Sequence, residues 1–138
     1  MARITGAREH KARLRRVRGA AMRAEVGKAI YAAADILSTE AALSITQGAV
    51  SGKNHVPSTA PNPPNADTGM LDRSIHTERE STLVALTVAD APYAAAQEFG
   101  NSKLPARPYM QPAADRTRPK AEKLVMAAVK RVVSGGTL

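Results

Sequence analysis

The sequence predicts an α+β fold: a long N-terminal helix, a short antiparallel sheet, and a C-terminal helix packed on the sheet. Three patterns point there. Met22, Val26, Ile30, Ala33 and Leu37 recur every three or four residues, the spacing of one helix face. Leu83, Ala85 and Thr87 alternate with Val84, Leu86 and Val88, as a strand with opposite faces requires. Leu124, Val125, Ala128, Val129 and Val132 then return to helical spacing. At 138 residues the chain has the length of a single domain, 1–138.

Residues 8–47 read as one long helix, with Gly19 as the place where it would break. Leu14 and Val17 carry the apolar stripe weakly into the basic end, and Ile36, Leu43 and Ile45 suggest a second contact surface. Gly48 is a suitable stop. Residues 51–67 hold four prolines and almost no large apolar side chain. Proline lacks a donor and restricts its predecessor, so this stretch is a loop or arm. It is either a flexible surface loop or an arm that orders on an adjacent subunit, and in both cases mobility is expected in the isolated chain.

Asp67 or Thr68 is placed to cap a short turn through Met70, Leu71 and Asp72. Two strands follow, Ser74–Arg79 and Thr82–Ala89, with Glu80-Ser81 as the hairpin turn. Pro92 opens a short helix carrying Tyr93 to Glu98, which Gly100 closes. The C-terminal helix starts near Pro112, is kinked or restarted at Pro119, and runs to Val133, with Gly135-Gly136 beyond it.

Of the apolar residues, 27 are alanine. A large aliphatic side chain contributes roughly 1.5–3 kcal/mol on burial, and alanine far less. A core this thin suits a subunit stabilised by neighbours. The formal charge of +8 concerns electrostatic partners rather than fold. With no cysteine, disulfides and thiolate metal sites are excluded. No apolar run approaches the ~20 residues of a membrane span, and the basic N-terminus lacks the core of a signal peptide. Synthesis and assembly in a host cytoplasm are expected.

Arg3, Arg8, Lys11, Arg13, Arg15, Arg16, Arg18, Arg23 and Lys28 face only Glu9 and Glu25 across the first 28 residues. Such a helix can neutralise phosphates without reading sequence, pair with an acidic neighbour, or stay solvated. No second helix with a tight turn supports a helix-turn-helix, and no aromatics offer stacking for single strands. His10, His55 and His76 lie on three separate elements without metal-ligand spacing. There is no G-x-S-x-G, no Ser-x-x-Lys and no phosphate-cradling loop. Glu78 and Glu80 share a strand face as solvated charges. Neither an enzymatic activity nor a cofactor is expected.

The most specific stretch is 93–113, YAAAQEFGNSKLPARPYMQPA. It holds Tyr93, Phe99 and Tyr109, three of the chain's four aromatics, beside Gly100, Pro105, Pro108 and Pro112. Glu98, Lys103 and Arg107 supply alternating charge. A structural pair between Glu98 and Arg107 is expected, since guanidinium and carboxylate match in shape. Phe99 is expected to be a buried anchor.

The order Tyr93-Ala-x-x-x-Glu98-Phe99-Gly100, then Pro105-Ala106-Arg107-Pro108-Tyr109-x-x-Pro112-Ala113, resembles the tail-component family of lambdoid and related long-tailed bacteriophages. Thr68-Gly69-x-Leu71-x-x-Ser74-Ile75 resembles that family's earlier signature, in the right order. The likeness covers about Asp67 to the C-terminal helix, with Asn101 where threonine is commoner and Tyr109 where phenylalanine is. It implies a virion structural protein of the neck or tail-completion region. The role implied is to seal or connect head connector and tail tube as a ring, sixfold to match the tail. The implied partners are copies of itself, head closure or connector proteins, and a tail terminator or tail tube protein. The rival reading is a nonspecific nucleic-acid-binding accessory protein using Arg8, Arg13, Arg15, Arg16 and Arg18.

Overall fold

The computed structural model describes residues 5–135, so Arg3 of the basic cluster and Gly136 of the C-terminal tail lie outside the described residues. Gly19 divides the predicted N-terminal helix into α1 (Ala7–Arg18) and α2 (Ala20–Thr46). Its backbone is extended there, and a Cβ would sit 2.9 Å from the Arg15 carbonyl oxygen. The break therefore falls at a residue with little room for a side chain.

Helix α2 is the central element. On it pack the C-terminal helix α5 (Met110–Val133) and both strands of a hairpin, β1 (Ile75–Ser81) and β2 (Val84–Ala89). The residues of α2 that disappear from solvent are mostly small: Gly27, Ala29, Ser38 and Ala41, joined by Glu25 and Ile45. The predicted stripe of Met22, Val26, Ile30, Ala33 and Leu37 is only half-buried. Small residues let neighbours approach closely. At Gly27 a Cβ would collide with the carbonyl oxygen of Thr82 at the hairpin tip.

The hairpin is antiparallel, pairing Ile75 with Ala89 through Arg79 with Ala85. A register shift between Arg79 and Ser81 puts Ser81 opposite Val84, so the turn is Thr82-Leu83 rather than Glu80-Ser81. The extra residue of the shift, a bulge, moves the turn along the chain. On the inner face Ser38 Oγ lies 2.8 Å from Thr77 Oγ1, and Thr87 Oγ1 donates to the Ala34 carbonyl at 2.9 Å. A polar seam thus joins sheet to helix. The Arg79 guanidinium lies over the Tyr31 ring at 5.0 Å, a cation–π contact.

Helix α5 begins two residues before Pro112 and continues unbroken through Pro119, with no restart. It lies along α2, its main packing partner, and Ala114, Thr117 and Ala121 share a groove with Ala85 and Thr87 of the sheet. Arg116 Nε meets Glu40 Oε1 at 2.8 Å across the two helices. Of its predicted stripe, Ala128 and Val132 are buried while Leu124, Val125 and Val129 are half-buried.

The short helix α3 (Met70–Ser74) starts at Gly69, whose φ of 75° is in the left-handed region that favours glycine. Neither predicted cap serves there: the Asp67 carboxylate instead accepts from the Gly52 amide at 3.0 Å. Residues 51–67 fold back on the body. Ala66 N–H donates to the Ile45 carbonyl at 2.9 Å, Asn65 Nδ2 donates to Val56 O at 2.8 Å, and Pro64 is buried. The loop thus carries hydrogen bonds of its own and one to the end of α2.

Candidate functional site

The stretch 93–113 is built around the helix α4 (Ala94–Phe99) and the start of α5. Gly100, at φ 73°, ends α4, and its amide donates to the Ala96 carbonyl at 2.9 Å. A Cβ at this position would lie 2.7 Å from Ala106 N. The chain can double back here because nothing projects into the turn. Asn101 Oδ1 then accepts from the amides of Lys103 and Leu104, both at 2.9 Å, and holds the loop tip. Arg107 N–H donates to the Gln97 carbonyl at 2.7 Å and ties the returning strand of chain to α4.

Glu98 reaches across this loop to the first turn of α5. Its Oε2 accepts from the amides of Tyr109 and Met110, each at 2.9 Å, and its Oε1 from Gln111 at 3.0 Å. A helix start leaves its first amides without intrahelical partners and carries partial positive charge. One carboxylate from another helix satisfies three of them. The expected Glu98–Arg107 pair is therefore corrected: Glu98 is already engaged by backbone donors. Arg107 instead borders a cavity of about 110 Å³ with His55, Ser58 and Asn65.

The expectation that Phe99 is the buried anchor is also corrected. Tyr109 is the buried anchor, 2% exposed, and its hydroxyl donates to the Ala94 carbonyl at 3.1 Å. Burial pushes its pKa up to about 12, helped by the nearby Glu98 and Tyr93. Phe99 is 80% exposed. As the last residue of α4 it points away from the core, whereas the Tyr109 ring enters it. Tyr93 is at the surface, and Pro108 and Pro112 are half-buried beside the Glu98 cap. Lys103 is exposed at the loop tip.

The two sequence signatures meet in space. Leu71 and Ile75 of the first pack with Ala94, Tyr109 and Ala113 of the second, together with Ala91 just before it and Ala41 and Ile45 of α2. Residues far apart in the chain thus hold one core, and the turn at Gly100 lies at its edge.

The basic cluster is arranged differently. Arg8, Arg13, Arg15, Arg16 and Arg18 all lie on α1, which has no buried residue. None of the ion pairs formed among the described residues involves a cation of α1. The Arg16 guanidinium lies beside Gly135 at the end of α5.

A third group was not singled out by sequence. His76 Nε2 lies 2.8 Å from Glu78 Oε1, and its Nδ1 lies 3.0 Å from the Ser74 carbonyl and 3.6 Å from Asp90 Oδ2. The Glu78 hydrogen bond, then the Ser74 carbonyl, raises the His76 pKa above 6.5. Alternation could place His76 and Glu78 on one strand face; the approach of Asp90 needed the hairpin register. Among the described residues no group of His, Asp and Glu is arranged to hold a metal ion, and His10, His55 and His76 do not converge. No helix among them is long and apolar enough to cross a membrane. Compared with known protein families, curated proteins and solved structures, the chain finds no match.

Proposed function

We propose that this chain is a structural subunit of the head–tail joint of a long-tailed bacteriophage, acting in the neck or in tail completion. It would sit in the virion as part of a ring, sixfold by analogy with the tail, after assembly in the host cytoplasm. Its neighbours would be head closure or connector proteins on one side and a tail terminator or tail tube protein on the other. No reaction and no cofactor enter this reading. The observation that carries it is the ordered pair of signatures, 68–75 and 93–113. Their convergence on one core supports the reading, because the turn at Gly100 and the Glu98 cap give the second signature one rigid shape. An exposed Phe99 on that rigid frame suits a contact with a partner.

The test is genetic and visual. A phage carrying this gene, with the gene disrupted, should accumulate filled heads and separate tails in electron micrographs, and the supplied protein should restore joining. Normal particles from the disrupted phage would overturn the proposal.

The second reading, nonspecific DNA binding, is favoured by the cations of α1, none of which forms an ion pair among the described residues. If six or more phosphates are contacted, duplex affinity should fall roughly a thousandfold or more between ~50 and ~200 mM salt. Assembly through protein contacts should survive that range.

A further inference from the structure

We infer that copies of this chain join head to tail, the acidic and apolar outer face of the hairpin on one copy seating in the basic groove of α1 on the next. The inference rests on the ring reading and names the two surfaces that would meet.

The first surface is a groove of about 380 Å³ lined by Lys11, Leu14, Arg15, Arg18 and Gly19. Leu14 and Val17 are 45% and 43% exposed, so α1 presents an apolar strip bordered by cations. Among the described residues, this strip stays about half open to solvent. Arg16 approaches the end of α5, and a residue two positions away on a helix points to roughly the opposite side, which is where Leu14 lies.

The second surface is the face of the hairpin turned away from α2. Thr77 and Thr87 point inward to Ser38, so their neighbours Glu78 and Leu86, which pair with each other, point outward. Val84 and Leu86 are 41% and 40% exposed. Glu78, Glu80 and Asp90 border them, all exposed. Among the described residues, no backbone hydrogen bond from outside the hairpin reaches either strand, apart from Asp90 N–H to Ser74 O at its base.

The surfaces complement each other twice over. Three cations meet the carboxylates of Glu78, Glu80 and Asp90, of which Glu78 and Asp90 also face His76 of their own chain, and Leu14 with Val17 meets Val84 with Leu86. Charge complementarity of this kind sets orientation and speeds encounter. Phosphates alone would need the cations but would leave the apolar strip uncovered. Because the two surfaces differ, the contact is heterologous, and repetition of such a contact closes into a ring when the rotation permits.

The chain has no cysteine, so engineered ones report cleanly. Leu14→Cys and Leu86→Cys single variants, mixed under mild oxidation, should give disulfide dimers containing one of each, while neither alone should give any. Sedimentation equilibrium should show self-association about tenfold or more weaker for Glu78→Lys with Glu80→Lys, and likewise for Arg15→Glu with Arg18→Glu. Combining the two reversed sets should restore it. Circular dichroism melts identify any variant that has not folded, and the cysteine pair provides the second route. Self-association that is neither cross-linked nor charge-sensitive overturns this surface assignment and leaves the ring reading standing. A chain that remains monomeric at millimolar concentration overturns both. Arginine reversals that abolish only DNA binding assign α1 to DNA and overturn the inference.

Discussion

The stretch 93–113 and helix α1 differ in how their shapes are held. In 93–113, a buried Tyr109, a carboxylate capping three amides and a glycine turn interlock within twenty-one residues of sequence. Helix α1 has twelve residues and buries none of them. A region of the first kind is specified by the chain's own contacts. A helix as short as α1 is marginal alone in water, and most helical stability in proteins comes from packing. The contrast teaches where a partner is needed: 93–113 can present a fixed surface, while α1 has its surface still to bury.

The largest loss is expected at Tyr109. Replacing it with alanine should cost about 3–5 kcal/mol, as for other buried aromatics, measured by chemical denaturation. A loss below about 1 kcal/mol would mean that the ring does not anchor this region. Alkali probes the same group. Its pKa is raised on folding, so its contribution is fully present below the unfolded value near 10 and is lost as pH rises through about 12. Absorbance titration should show Tyr109 ionising late, together with unfolding in that window. Ionisation of Tyr109 near 10 with the fold intact would contradict its burial.

Glu98→Ala should cost about 1–2 kcal/mol, the usual range for a lost helix cap, and Glu98→Asp should fail to recover it because the side chain is shorter. Amide hydrogen exchange at Tyr109, Met110 and Gln111 should quicken in both variants. Unchanged exchange there would show that water or another group caps α5 equally well.

The smallest effect on stability belongs to Phe99. With its ring 80% exposed, Phe99→Ala should stay within about 0.5 kcal/mol of wild type in denaturation. Under the proposed function the same change should impair joining of heads to tails. A large loss of stability would mean that Phe99 packs on its own chain after all. Normal joining would remove it from the interface.

How much of this was legible beforehand depended on the range of the interaction. Gly19, Gly100 and the hairpin could be read because breaks, turns and alternation are local. The bulge that shifts the turn to Thr82-Leu83 has no strong local signature, and its effect is to realign two strands. Glu98 capping α5 joins residues eleven to thirteen positions apart through a loop whose path had to be known. Phe99 and Tyr109 are both large aromatics in one motif, and composition ranks them alike for burial.

Local signals in the sequence were enough for the helices, the hairpin, the glycine break at Gly19 and turn at Gly100, and the concentration of positive charge on the N-terminal helix. These follow from backbone sterics and the periodicity of apolar residues, which act over a few positions. The tertiary structure alone decided which face of each element is buried, which aromatic enters the core, and where Glu98 spends its hydrogen bonds. Those outcomes depend on distances between elements. The close approach of Gly27 to Thr82, remote in the chain, sets one of these distances.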